Sequence, residues 1–191
     1  MEPVKKLSVM LLLAVASVAI ANGSAYAQMK ETNPMVGGAP MLKSKDIVDN
    51  AVNSQDHTTL VAAVKAAGLV ETLKGKGPFT VFAPTNEAFD KLPSGTVETL
   101  LKPENKEMLT KILTYHVLAG KYDSKEIAKR IRAGHGSAQF KTVSGGTLTA
   151  TMNGNNLMLK DEKGGISTVS IANVYQSNGV IHVLDTVLMP N

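Results

Sequence analysis

The chain has 191 residues, of which 43% are hydrophobic, and it contains no cysteine and no tryptophan. The lack of cysteine excludes a disulfide framework and any thiolate metal site, so a hydrophobic core has to hold the fold. Lys and Arg number 20 against 16 Asp and Glu, a net charge of +4 that is too small and too mixed to point to nucleic acid.

The first 27 residues read as an export signal. Lys5 and Lys6 form a basic start, Leu7 to Ala21 is apolar apart from Ser8 and Ser17, and Ala25-Tyr26-Ala27 supplies a small-x-small cleavage pattern. The apolar run is too short to span a bilayer, and no later run approaches ~20 apolar residues. A secreted or periplasmic protein cleaved near Ala27 is expected. Residues 28–43 follow, with Pro34, Gly37-Gly38 and Pro40 and no helical or strand period, and read as a flexible leader. The folded domain is then expected over 44–191, long enough to bury about two thirds of its unfolded surface.

The domain starts with helices. Ile47, Val48, Ala51 and Val52 lie at helical spacing, and Asp56 is placed to cap a helix carrying Leu60, Val61, Val64 and Ala67 and ended by Gly68. Leu69, Val70 and Leu73 make a further short turn. Phe79 to Ala83 is a strand by composition, ended by Pro84, and Thr85 caps a helix with Glu87 in its first turn and Ala88, Phe89 and Leu92 on its apolar face. Helical pieces continue over 96–101 and 103–114, with Leu109, Ile112 and Leu113 facing inward. After Tyr115-His116-Val117-Leu118, Asp123 and Glu126 resemble a capping box for a helix with Ile127 and Ile131 inward and Gly134 at its end. Its cations, Lys125 to Arg132, read as a solvated face.

From Ala138 the period changes to two. Short strands are expected around Phe140 and Val143, Leu148 to Met152, Leu157 and Leu159, Ile166 to Ile171, Val180 to Val183, and Thr186 to Leu188. Ser144-Gly145-Gly146, Asn153-Gly154-Asn155, Lys163-Gly164-Gly165 and Ser177-Asn178-Gly179 separate them as turns. The fold class is therefore α+β.

Three segments carry a resemblance to a known family. Residues 79–89, Phe-Thr-Val-Phe-Ala-Pro-Thr-Asn-Glu-Ala-Phe, resemble the first box of fasciclin (FAS1) domains. Tyr115-His116-Val117-Leu118 resembles their central Tyr-His motif, and residues 179–188, Gly-Val-Ile-His-Val-Leu-Asp-Thr-Val-Leu, resemble their second box. The resemblance covers roughly Asp46 to Pro190. It implies a wedge-shaped β-sandwich of two sheets with several helices packed on one side, and an adhesion and interaction role outside the cytoplasm. It also implies that Tyr115, His116, Val117 and Leu118 are the partner-binding positions. The chain has one such domain and no Arg-Gly-Asp, which argues against integrin binding and leaves extracellular protein or polysaccharide as the partner. Neither sequence nor resemblance sets the oligomeric state.

The residues themselves give no enzyme signature. His116 and His182 are flanked by apolar residues and read as buried, hydrogen-bonded imidazoles, whereas His57 and His135 read as solvent-facing. Asp185 follows His182 by three positions, which on a strand sets them on opposite faces. No Gly-x-Ser-x-Gly, phosphate loop or His-Glu-x-x-His occurs, so no catalytic residue, cofactor or metal ligand is assigned. Pro84, Thr85, Asn86, Phe89, Gly179, His182 and Asp185 are read as specifying the fold. The leading function is a secreted, non-enzymatic adhesion or interaction module. The alternative, which the resemblance implies because some fasciclin relatives resemble carotenoid-binding proteins, is a soluble carrier of a small apolar ligand such as a carotenoid or lipid, and the aliphatic and methionine content suits it.

Overall fold

The computed structural model describes residues 33–191, so the expected export segment and cleavage site lie outside the described residues. Two short strands, β1 (Met35–Val36) and β2 (Ala39–Pro40), open the described part as an antiparallel hairpin through Gly37 and Gly38, both at positive φ. This corrects the flexible leader expected over 28–43 for its part from residue 33 on, residues 28–32 lying outside the described residues. Val36 and Met41 are buried in the core, the Asn50 side chain bonds both the amide and the carbonyl of Leu42, and Gln55 donates its amide to the Gly37 carbonyl. A Pro- and Gly-rich stretch reads as a linker by composition, but here the two apolar side chains and these backbone bonds anchor it.

Helices α1 (Ile47–Ala51), α2 (Thr58–Ala67) and α3 (Val70–Lys74) come next, with Asp46 capping α1 and left-handed Gly68 ending α2. The expected cap of α2 is different. A 3-10 turn over Gln55–His57 precedes the helix, and the Asn86 side chain accepts from the Thr59 amide while donating to the Gln55 carbonyl. A residue 27 positions downstream thus does the work assigned to Asp56, which no local pattern reveals.

Strand β3 (Phe79–Pro84) then breaks into α4 (Asn86–Asp90), and Thr85 accepts from the Ala88 amide as expected. Next come α5 (Thr96–Leu100), α6 (Lys106–Tyr115), β4 (Val117–Ala119) and α7 (Ser124–Ala133). Strands β5 (Ser137–Lys141), β6 (Thr147–Asn153), β7 (Asn156–Lys160), β8 (Ile166–Gln176) and β9 (Gly179–Leu184) finish the chain.

The sheet runs in the order β4-β3-β9-β8-β7-β6-β5 and joins the two expected sheets through β8. That strand extends beyond the expected Ile171 because register shifts between Val169 and Val174 let its first half pair with β7 and its second half with β9. Asn173 takes a left-handed φ of 62° in this irregular stretch. The expected strand at Thr186–Leu188 is not formed, and the chain leaves the sheet after Leu184.

Strand alternation divides the interior in two. Val81, Ala83, Ile181 and Val183 face the helices together with Leu60, Val64, Phe89, Leu109 and Ile112. Phe82 and Leu184 face the other way, meeting Tyr115, Ile127, Ile131, Phe140, Leu148 and Leu159 inside the folded sheet. β3 and β9 are therefore apolar on both faces, and they are paired in parallel.

Candidate functional site

The segments singled out by the sequence converge on the β3–β9 pair. Pro84 ends β3 beside Leu184, and Phe89 packs into the helical core. Gly179 lies directly opposite Phe79, where a Cβ would come within 2.2 Å of the Phe79 carbonyl oxygen. Its φ is not in the left-handed region, so close approach of two strands, rather than turn geometry, demands glycine here. The turn before it is Ser177-Asn178. The Asn178 side chain accepts from the Ile47 amide and donates to the carbonyls of Leu73 and Gly75, which fixes α1 and the end of α3 to the sheet. Asp185 accepts from the Thr168 amide at 2.8 Å and from Ser167 Oγ, pinning β8 to the end of β9. These bonds hold the Asp185 carboxyl below its ordinary range against the opposing effect of burial.

The Tyr-His motif is interior. Tyr115, His116, Val117 and Leu118 are 0%, 3%, 6% and 1% exposed, so their side chains form no part of the outer surface that a protein or polysaccharide would meet. This corrects the expectation of a partner-binding surface at these four positions. The Tyr115 hydroxyl donates to the Thr147 carbonyl and accepts from the Glu162 amide, and burial pushes its pKa up to about 12. His116 Nδ1 meets the Ile112 carbonyl at 2.8 Å and Nε2 accepts from the Leu188 amide at 3.1 Å. That pattern requires a neutral imidazole protonated at Nδ1.

His182 lies in the same interior, tilted against Phe82, with Nε2 bonded to the Tyr122 carbonyl. His182 and Asp185 thus bond to different elements, as strand alternation requires. His57 is 4% exposed, contrary to its solvent-facing expectation, because the 3-10 turn folds it under the β1–β2 hairpin. Its Nδ1 meets Ser54 Oγ at 2.8 Å. That pair is buried and among the described residues its Nε2 has no hydrogen-bond partner, so none of them supplies the orienting third group of a nucleophile triad. Only His135 is exposed. Among the described residues no group of three or more His, Cys, Asp or Glu is placed to hold a metal.

Burial lowers the pKa of all three interior histidines, His116 to about 4. For His57 the Ala83 carbonyl, outside hydrogen-bond geometry, opposes this only in part. A base whose pKa is lower folded than unfolded stabilises the fold fully above its unfolded value, 6.5, and loses that stability as pH falls toward the folded value. His116 alone should therefore contribute on the order of 3 kcal/mol that disappears between about pH 6.5 and pH 4. Urea melts at pH 7, 5.5 and 4 should show this decline. The variant His116→Phe should be less stable at pH 7 and decline less steeply; equal slopes would remove His116 as the cause.

Next to the motif is a cavity of about 410 Å3 between the helices and β3. Its walls are apolar: Ile47 and Val48 of α1, Leu60 and Val64 of α2, Leu73 of α3, and Val81 and Ile181 of the sheet, with His116 and Val117 also lining it. Val52 and Val143, each 49% exposed, lie at its edge. The polar rim includes Lys74, which pairs with Asp46 at 3.3 Å and with Asp49. Sequence periodicity identified most of these residues as core; that they stop short of filling the space between the elements could not be read from it.

The model of the fasciclin domain matches residues 55–190. The chain belongs to the fasciclin family. It is 45% identical over 170 residues to protein sll1483 of Synechocystis sp., covering 87% of this chain and 86% of that one. It is 36% identical to the immunogenic protein MPB70 of Mycobacterium bovis over 88% of this chain and 81% of that one. The cell surface glycolipoprotein MPB83 of the same species is 33% identical, with 88% and 71% covered. Among solved structures, a FAS1 domain pair from the insect cell adhesion molecule Fasciclin I superimposes with a TM-score of 0.67 at 18% identity, over 76% of this chain. The present chain spans about half, 51%, of that two-domain molecule, and the likeness shows the shared α+β fold.

Proposed function

We propose that this fasciclin domain is an exported, non-enzymatic interaction module that attaches to protein or polysaccharide at the cell surface or in the extracellular matrix. Family membership together with a relative named as a cell surface glycolipoprotein supports this reading most directly. The commitment of the interior histidines and Asp185 to structural hydrogen bonds is consistent with it. The work of binding then falls to the surface rather than to Tyr115 and His116. In the test, labelled protein is incubated with cells and cell envelopes of the producing organism and the retained fraction is measured. Saturable retention is expected; none at micromolar concentration would refute the reading.

A second reading, the carrier of a small apolar ligand, is favoured by the 410 Å3 apolar cavity, which is within the roughly 300–1,000 Å3 range of small-molecule sites. Protein purified from its native source and extracted into organic solvent should then release a stoichiometric apolar compound, detected by mass spectrometry or a visible absorption band. An empty extract would count against it.

A further inference from the structure

The geometry points to α7 and its flanks as a binding strip for a linear acidic polysaccharide. This rests on the proposed interaction function and gives it a surface and a ligand class.

Lys125, Lys129 and Arg132 follow one another at i, i+4 and i+7 and form one exposed stripe of α7, spanning about 10 Å along the helix axis. Lys121 and Arg130 widen it into an open groove in which five cations stand against only Asp123 and Glu126. That excess of three is most of the net +4 of the whole chain. The two carboxylates are engaged: Asp123 caps α7 through the Glu126 amide, and Glu126 pairs with Arg130 at 2.9 Å. Lys125, Lys129 and Arg132 make no salt bridge among the described residues, although the charge of Lys125 is felt by the Asp123 carboxylate. Unpaired like charges along one stripe repel each other, and a polyanion relieves that repulsion while releasing its own counterions.

Two features select the kind of polyanion. A helix lying in a membrane surface needs its apolar face free, but Ile127 and Ile131 of α7 are 0% and 3% exposed and belong to the core inside the sheet. Single-stranded nucleic acid needs open aromatic faces on which to stack bases. Here Arg130 lies over Tyr122, 4.6 Å from the ring centroid, and Lys121 over Tyr175 at 4.9 Å. A chain with regularly spaced carboxylates or sulfates and no need for an apolar or stacking contact fits what remains.

Heparin and polygalacturonate serve as sulfated and carboxylated probes, measured by calorimetry at several salt concentrations with protein expressed from the full-length chain. Wild type should bind at least one of them. The triple variant Lys125→Gln/Lys129→Gln/Arg132→Gln should bind at least about tenfold more weakly, with a salt dependence flatter by about two to three counterions. The variant Lys102→Gln/Lys160→Gln/Lys163→Gln removes the same charge from exposed positions elsewhere and should bind within about twofold of wild type. Equal losses in both variants would mean that net charge alone attracts the probes, and would overturn the assignment. Preference for anionic vesicles or oligonucleotides over both polysaccharides would also overturn it. Retention on cells without polysaccharide binding would sink the strip while leaving the interaction function standing; loss of both would remove both.

Discussion

Gly179→Ala should cost at least ~4 kcal/mol and leave little soluble folded protein. The added Cβ would meet the Phe79 carbonyl oxygen at 2.2 Å and the Phe79 amide nitrogen at 3.0 Å, and these are backbone atoms of the central strand, not the free end of a side chain. β3 cannot withdraw alone, because it is bonded to β4 on one side and β9 on the other and carries Phe82 and Ala83 into two different cores. The conflict must be relieved by separating β3 from β9, which opens both cores together. In a domain of this size ~4 kcal/mol lowers the Tm by about 8–16 °C. Gly154→Ala provides the contrast: φ is +59° but nothing lies within 4 Å of the new Cβ, so only backbone strain of ~1 kcal/mol is expected. Thermal melts of the two variants separate close approach from conformational strain. A Gly179→Ala protein as stable as Gly154→Ala would mean that β3 and β9 are not packed this closely.

Elements whose signals are local were legible in the sequence. The corner at Pro84-Thr85, the cap at Asp123, the stop at Gly68 and the hairpin turn at Gly154 each follow from a residue and its immediate neighbours, and each is present. The signals that failed were non-local. Asn86 caps a helix that precedes it by a helix and a strand, and Asn178 ties down two helices more than 100 positions upstream. β8 outruns its apolar pattern because two different neighbours hold its two halves. His57 reads as solvent-facing because it lies in a probable helix cap, yet the hairpin packed beside it comes from the segment that reads as a flexible leader. The site shows the same division: apolar flanks correctly placed His116 and His182 inside, but a motif tied to partner binding says nothing about which of its atoms reach the surface.

Burial of the Tyr-His motif changes what a loss of adhesion in its variants would mean. Tyr115→Ala removes an aromatic ring that is 0% exposed and packs with Leu118, Phe140 and Leu148, so it should cost about 3–5 kcal/mol. It also strands the Thr147 carbonyl and the Glu162 amide that share the hydroxyl. Tyr115→Phe keeps the ring and loses only those two bonds, which should cost about 1–3 kcal/mol. If adhesion depends on the folded surface and not on Tyr115 itself, Tyr115→Phe should bind like wild type at 20 °C, while Tyr115→Ala should lose binding in proportion to its unfolded fraction. Circular dichroism and cell retention measured on the same samples would check this. Retention lost by a fully folded Tyr115→Phe protein would mean that the phenol reaches the partner, and the interior position found for it would have to open on binding. Retention that tracks the folded fraction would assign the effect of Tyr-His substitutions to the core they hold together.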